Sequence, residues 1–365
     1  MIKKKIAVIG LKGIPAFGGA ATVGEHLINE LKDEYDFTVL SIASHSSKEN
    51  TLVNGIHQKV FSNLGTGGLN TFYYYIRCLI HVLWKNYDMI HLHHAESGFI
   101  TPLLRLKYKV IVTFHGIYNY IDPKFSKIHN WFFRFSERLN VTFANEIVSV
   151  SMPDVEFIKN KYGRDIHSIP NGINITERTE NLLQIKNTKD YIFFAAGRIY
   201  EIKGLHLLLE AMKLANERTL LKVAGDINQV PDYKIQIEAL SKLLNTEFLG
   251  MIKEKNELMK LVSEAKLFVF PSLTEAMSMM LLEVVSMKTP VIVSDIPSNK
   301  SIFSHEEVLF FKSNDSHDLM EKLQFANEHP ELMKEKAEKA FQKLSLNYTW
   351  NNIGKQYDLL YQKLT

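Results

Sequence analysis

Short apolar runs alternate with amphipathic stretches along the whole chain. In the first half the runs lie at Lys5–Gly10, Phe37–Ala43, Tyr87–His94, Lys109–Phe114 and Glu146–Ser151. In the second half they lie at Tyr191–Ala196, Leu220–Asp226, Thr246–Met251, Leu267–Phe270, Val291–Asp295 and Val308–Lys312. The runs are mostly continuous rather than alternating, as expected of parallel strands covered on both faces. Between them, Ala20–Leu31, Asn70–Trp84, Met152–Tyr162, Leu205–Ala215, Glu254–Ala265 and the charged stretch Asp315–Leu344 read as helices. The alternation predicts an α/β protein of two doubly wound, Rossmann-like domains facing each other across a cleft. A turn at Pro170-Asn171-Gly172 and the polar stretch Glu177–Lys189 put the boundary near residue 170. The expected domains are 1–170, 171–346 and a terminal helix, 347–365, that crosses back to the first domain.

Composition narrows the class. With 46% hydrophobic and 23% charged residues, the 365-residue chain reads as globular. A formal charge of +3 does not call for nucleic acid. The charge is uneven, +5 over residues 1–170 and −2 over the rest, and a basic first half suits an anionic membrane surface as well as it suits chance. One cysteine, Cys78, permits no intrachain disulfide and fits a reducing, cytoplasmic compartment. The opening MIKKKIAVIGL has lysines before an apolar run, but the run is too short for a signal peptide and ends in a Gly-rich turn, so it reads as a first buried strand. No stretch is long and apolar enough for a transmembrane helix.

Candidate chemistry sits after the strands. The loop GLKGIPAFGG, with Gly13, Gly18 and Gly19, precedes a helix and could cradle a phosphate or a sugar. Its spacing is not G-x-G-x-x-G, and no dinucleotide fingerprint is met. After Tyr191–Ala196 comes GRIYEIKG: Gly197 is expected in a tight turn, and Arg198 and Lys203 offer a forked guanidinium and a point charge beside a helix start. In FVFPSLTEAMSMMLLEVVSMKTP, Glu275 precedes Ser278, a plausible N-cap, and Met279; Glu283 lies on the following helix. The N–H groups of that helix start suit a phosphate or a sugar hydroxyl, and both carboxylates can accept from hydroxyls. They could equally be a surface and a solvated glutamate.

His91, His93 and His94 invite a metal, but no cysteine completes a ligand set, and lining a strand end is the better reading. His115-Gly116 stands at the end of a parallel strand, where α/β proteins place ligand contacts. The aromatic stretches TFYYYIRCLIHVLW and WFFRFSER read as core, or as a face resting on a bilayer. Gly65–Gly68 reads as a loop.

Three strings share a resemblance. PS-x-x-E…LLE…TPVIVSD with Glu275 and Glu283 resembles the E-x7-E signature of retaining nucleotide-sugar glycosyltransferases of the GT-B fold, in particular glycosyltransferase family 4. GRIYEIKG resembles that family's G-R-x-x-x-x-K-G motif, and the Gly13–Gly19 loop resembles the N-terminal loop of its members that build bacterial surface polysaccharides. Pro170-Asn171-Gly172 fits the passage between the two domains. The family has Gly, an aromatic and Gly after the first Glu, where this chain has Ala276, Met277 and Ser278.

The resemblance implies transfer of a hexose from a nucleotide diphosphate-sugar to a saccharide or lipid-linked acceptor. It implies that Arg198 and Lys203 hold the diphosphate, with Gly197, Ser278 and Met279 beside it. Glu283 would bind the ribose hydroxyls, Glu275 and His115 the donor sugar, and Gly18 and Gly19 would allow close approach. No D-x-D metal motif stands where one is needed, so no cofactor or metal is expected. A peripheral contact with the cytoplasmic face of the membrane would suit a lipid-linked acceptor. A nucleotide-sugar epimerase and a catalytically silent nucleotide-sugar-binding protein of the same fold are the alternatives.

Overall fold

A computed structural model describes residues 3–16, 19–46, 51–117, 127–175, 183 and 188–364. Gly18 lies outside the described residues. The chain divides into two compact units: Met1–Gly172 with Trp350–Thr365, and Ile173–Thr349.

In the first unit the strands are β1 (Lys4–Lys12), β2 (Tyr35–Ile42), β3 (Leu52–Val53), β4 (Ile56–Phe61), β5 (Met89–His93), β6 (Lys109–Phe114), β7 (Glu146–Ser149) and β8 (His167–Ser168). They form one sheet in the order β3-β4-β2-β1-β5-β6-β7-β8. All neighbours pair parallel except the short β3–β4 hairpin. The order reverses at β1, which pairs with β2 on one side and β5 on the other, and this is where a doubly wound sheet opens a crevice. Gly10 lets the ends of β1 and β5 approach closely. Its φ is +112°, and a Cβ there would stand 2.5 Å from the carbonyl oxygen of His93.

The helices of this unit are α1 (Gly19–Leu31), α2 (Gly67–Leu83), α3 (Thr101–Leu104), α4 (Lys127–Phe143) and α5 (Met152–Tyr162). Gly67 and Gly68 belong to the first turn of α2 rather than to a loop, because Thr66 takes the extended N-cap conformation one residue earlier. One sheet face buries Ala7, Ile9, Leu92, Val112 and Phe114 against Tyr74, Tyr75 and Cys78 of α2 and Val141 of α4. The aromatic stretch of α2 is therefore divided between core and exposed surface. Tyr74, Tyr75, Cys78, Leu79 and Val82 are core, whereas Phe72, Ile80 and Trp84 are exposed.

In the second unit β9 (Lys189–Arg198), β10 (Leu220–Asp226), β11 (Thr246–Gly250), β12 (Ala265–Phe270), β13 (Val291–Ser294) and β14 (Leu309–Phe311) form a sheet in the order β11-β10-β9-β12-β13-β14. All its neighbours pair parallel. Here the order reverses at β9, between β10 and β12. The helices are α6 (Leu205–Leu214), α7 (Pro231–Ser241), α8 (Lys255–Glu264), α9 (Met279–Ser286), α10 (Pro297–Ile302), α11 (Ser316–Glu328) and α12 (Pro330–Asn347). The core joins Ile192, Phe194, Leu221, Val269 and Ile292 to the apolar face of α6.

The last helix, α13 (Trp350–Leu364), belongs to the first unit and packs on α1. It buries Trp350, Ile353, Tyr357, Leu360 and Tyr361. Each such side chain contributes roughly 1.5–3 kcal/mol of apolar burial, enough to hold a helix that is remote in sequence.

Candidate active site

The two loops that follow β9 and β12 flank the strand reversal of the second unit, and they are joined by backbone. Leu273 N donates to Ile202 O at 2.8 Å. Gly204, in the left-handed conformation with φ +70°, turns the first loop into α6. A Cβ on Gly204 would lie 2.0 Å from the carbonyl oxygen of Pro271, so only glycine lets the loops meet. Gly204 is thus the turn glycine. Gly197, expected in that role, lies inside β9 with open space where a Cβ would stand, because the strand runs on through Arg198.

Against this frame Lys203 Nζ lies 2.6 Å from Glu275 Oε1. Ser272 Oγ donates to the same oxygen at 3.0 Å. The backbone under Ser272 is held in turn, since Ser294 Oγ donates to Ser272 O at 2.5 Å and Asn299 Nδ2 donates to Ser294 O at 3.0 Å. Burial works against the charge on Lys203, but the Glu275 carboxylate outweighs it and raises the ammonium pKa. Arg198, exposed at the end of β9, is near enough to act in the opposite direction. Ser278 caps α9 by accepting from Leu281 N at 3.4 Å, which leaves the first N–H groups of the helix, beginning at Met279, next to the Glu275 loop. Glu283, a turn into α9, pairs with Lys255 at the start of α8.

In the first unit, His115 follows β6. Its Nε2 lies 2.9 Å from Nδ1 of His93, with the rings nearly parallel. His91 is buried deeper, with Nδ1 2.7 Å from the Tyr361 hydroxyl and Nε2 2.8 Å from Thr113 Oγ1. His94 leaves the strand with φ +71°. Burial pushes all four rings down, His91 and His94 to about 3 and His93 and His115 well below their ordinary value, with neighbouring positive charge adding to the effect. They are neutral at pH 7, each ring a hydrogen-bonding imidazole and not a cation. Among the described residues no cluster of His, Cys, Asp and Glu could hold a metal ion. Gly19 opens α1 with no atom within 4 Å of a Cβ built on it.

The structure thus brings Arg198, Lys203, Glu275, Ser278, Met279 and Glu283 to one sheet edge of the second unit. His115 and Gly19 stand at the corresponding edge of the first. Ser272, Gly204 and Lys255 were not singled out by sequence. The first two lie inside motif strings, whereas nothing in the sequence pairs Lys255 with Glu283.

The family described as Glycosyltransferase Family 4 matches residues 17–177, and that described as Glycosyl transferases group 1 matches residues 178–343. The chain belongs to the family 4 glycosyltransferases. Its fold is GT-B: a sucrose-phosphate synthase from Thermosynechococcus elongatus superposes with a TM-score of 0.83 over 99% of both chains at 19% identity. Among family relatives, an O-antigen chain mannosyltransferase of Salmonella typhimurium is 28% identical over 197 residues, 54% of each chain. A UDP-Gal:alpha-D-GlcNAc-diphosphoundecaprenol alpha-1,3-galactosyltransferase of Escherichia coli is 23% identical over 240 residues, 61% of each chain. The chain thus spans little more than half the length of these curated relatives. Within the glycosyltransferase, the Lys203–Glu275 loops fall in the group 1 match, and His115 falls in the family 4 match.

Proposed function

We propose that the protein transfers a hexose, with retention of anomeric configuration, from a nucleotide diphosphate-sugar to a saccharide or lipid-linked saccharide during cell-surface polysaccharide synthesis. The observation that carries this reading is the Lys203–Glu275 pair at the β9–β12 strand reversal, beside the capped start of α9. It joins a half-buried cation suited to a diphosphate with a carboxylate suited to sugar hydroxyls, 2.6 Å apart.

In the transfer, the bond from the anomeric carbon to the diphosphate oxygen breaks, an acceptor hydroxyl oxygen bonds that carbon on the same face as its proton passes to the leaving diphosphate, and negative charge gathers on that diphosphate as it leaves. Arg198, Lys203 and the N–H groups at Met279 stabilise that charge, fixed in place before the bond breaks. Glu275 accepts from hydroxyls of the donor sugar, and Glu283 accepts from the ribose. His115 keeps the role it has by resemblance, a neutral hydrogen-bonding contact to the hexose. Gly19, with open space beside it, admits ligand backbone-close, and Gly18 shares that role by resemblance. The charge is balanced by side chains and helix N–H groups, so in this reading no metal ion takes part. The protein works at the cytoplasmic face of the membrane. Among the described residues no helix is long and apolar enough to cross a bilayer.

The test is a thermal-shift panel of UDP-, GDP-, dTDP- and ADP-sugars with and without EDTA, followed by product analysis. A rise with one nucleotide class, unchanged by EDTA and lost in Lys203→Ala, is the expected result. No rise with any donor in folded protein overturns the reading. A rise with no sugar released to any acceptor or water points instead to a silent binding protein.

A further inference from the structure

A cavity of about 480 Å³ lies in the first unit between α2, α4 and the segment after β5. That volume is in the range of small-molecule sites, about 300–1,000 Å³. Its walls are mostly rings: Phe72, Tyr75, Phe99, Trp131 and Phe132, with Ile128. They are packed on one another rather than scattered. Phe72 stacks on Phe99 at 5.0 Å, and Phe99 contacts Tyr75 at 5.8 Å and Phe132 at 5.5 Å. The rim is open to solvent, with Trp131 65% and Ile128 78% exposed. Leaving such rings and an aliphatic chain in water is unfavourable, and a ligand that covers them gains their burial.

The cavity is not uniformly apolar. Lys12 and Glu96 line it, and the Tyr75 hydroxyl, on a residue only 1% exposed, has no hydrogen-bond partner among the described residues. A buried hydroxyl without a partner is costly and points to a polar group that the ligand would bring. Lys12 is the last residue of β1, and Glu96 follows the end of β5 by three residues, so this polar wall comes from the two strand ends that flank the sheet reversal. Lys127, Arg134 and Arg138 are exposed along α4.

We propose that this cavity binds the hydrocarbon chain of a lipid-linked acceptor, with the chain among the rings and its phosphate end at Lys12 and Tyr75. The proposal deepens the transfer reading above and rests on it for the word acceptor. It goes further in assigning α2 and α4 a built chain site in place of a general apolar face. The phosphate then sits at the strand-end crevice, where the saccharide it carries would be held.

The experiment uses the full chain and farnesyl phosphate, with farnesol, inorganic phosphate and phosphatidylcholine vesicles with and without phosphatidylglycerol as comparisons, read by tryptophan fluorescence and by thermal shift. Farnesyl phosphate is expected to bind, farnesol at least tenfold more weakly, and inorganic phosphate not measurably. Thr71, which lines the cavity from α2, allows it to be filled. Thr71→Trp should weaken farnesyl phosphate at least tenfold, and Thr71→Ala should leave it within about twofold. Lys12→Ala should erase the preference for the phosphate over the alcohol. Absence of farnesyl phosphate binding in folded wild type, or equal binding in Thr71→Trp of unchanged melting temperature, overturns the proposal. Binding to vesicles alone, insensitive to Thr71→Trp, overturns it in favour of a bilayer-resting face. The donor panel is run alongside. A donor shift without chain binding sinks the chain site alone, whereas chain binding without a donor shift sinks the transfer reading alone.

Discussion

Lys203 Nζ and Glu275 Oε1, from loops 72 residues apart in sequence, lie 2.6 Å apart, with Ser272 Oγ donating to the same carboxylate oxygen. Lys203 is only 22% exposed and Glu275 14%. Each charge therefore depends on the other, and a diphosphate arriving at Lys203 competes with Glu275 for it. That relationship gives the first prediction. Lys203→Ala is expected to lower turnover tenfold or more. It should also lower stability by about 1–3 kcal/mol, because a half-buried carboxylate loses its partner. Steady-state kinetics and urea melts check both. Unchanged kcat would remove Lys203 from the site.

Glu283→Ala is expected to cut kcat/KM for the nucleotide-sugar at least tenfold while sparing the fold. Among the described residues its carboxylate pairs only with Lys255, which is itself 53% exposed and contributes little. Circular dichroism and donor titration separate the two effects. A loss of folded signal, rather than of donor affinity, would make the residue structural.

Gly197, inside β9, and Gly204, at the turn into α6, should behave oppositely. Gly204→Ala places a Cβ 2.0 Å from a carbonyl oxygen at a residue with φ +70°, and a loss on the order of 2–4 kcal/mol is expected. Gly197→Ala meets nothing within 4 Å and should melt within a degree or two of wild type. Any loss of activity in Gly197→Ala would then report ligand approach. Equal melting temperatures for the two variants would refute the close contact between the loops.

The buried histidines predict acid lability of the first unit. A ring whose folded pKa is pushed from 6.5 to about 3, as for His91 and His94, takes up a proton in the unfolded chain before it does so in the folded one. Unfolding then binds protons between pH 6.5 and about 3, so stability is complete above 6.5 and falls as the pH drops through that window. Asp154 works in the opposite sense. Burial raises it from 3.8 to about 7, so its folded form is favoured at low pH and loses ground as the pH rises. Glu96, also raised by burial, acts with Asp154, while His45 and His81, also lowered by burial, act with the other four rings. With six rings against two carboxyls, a net loss on the order of a few kcal/mol between pH 7 and pH 4 is expected. Thermal melts across that range check it; a melting temperature that stayed level or rose on acidification would contradict the neutral histidine cluster.

Tyr361→Phe should cost about 1 kcal/mol, the value of one buried hydrogen bond to His91, and Tyr361→Ala several times more, since the ring also stands edge-on to Tyr35 at 5.2 Å. Chemical denaturation measures both. Near-equal values would mean that α13 adds little to the first unit.

Much of this was legible along the chain. Strands buried on both faces leave continuous apolar runs, and helices leave a 3.6-residue stripe, so β1, β6, α5 and the Ser278 cap could be read locally. The motif residues Arg198, Lys203, Glu275 and Glu283 carry their chemistry in their identities and spacing. What the sequence could not say is which of them touch. The pairing of Lys203 with Glu275, of Glu283 with Lys255 and of His115 with His93 follows from strand order, which is set by long-range packing and leaves no periodic mark. The same holds for the glycine that matters. Gly197 and Gly204 look alike in the string, and only the approach of Pro271 from another loop makes Gly204 irreplaceable. The aromatic helices show the limit most clearly. Composition made them core or surface, and it took the packed sheet to bury Tyr74 and Tyr75 and leave Phe72 and Trp131 lining an open cavity, because burial is decided by what lies opposite a side chain and not by the side chain alone.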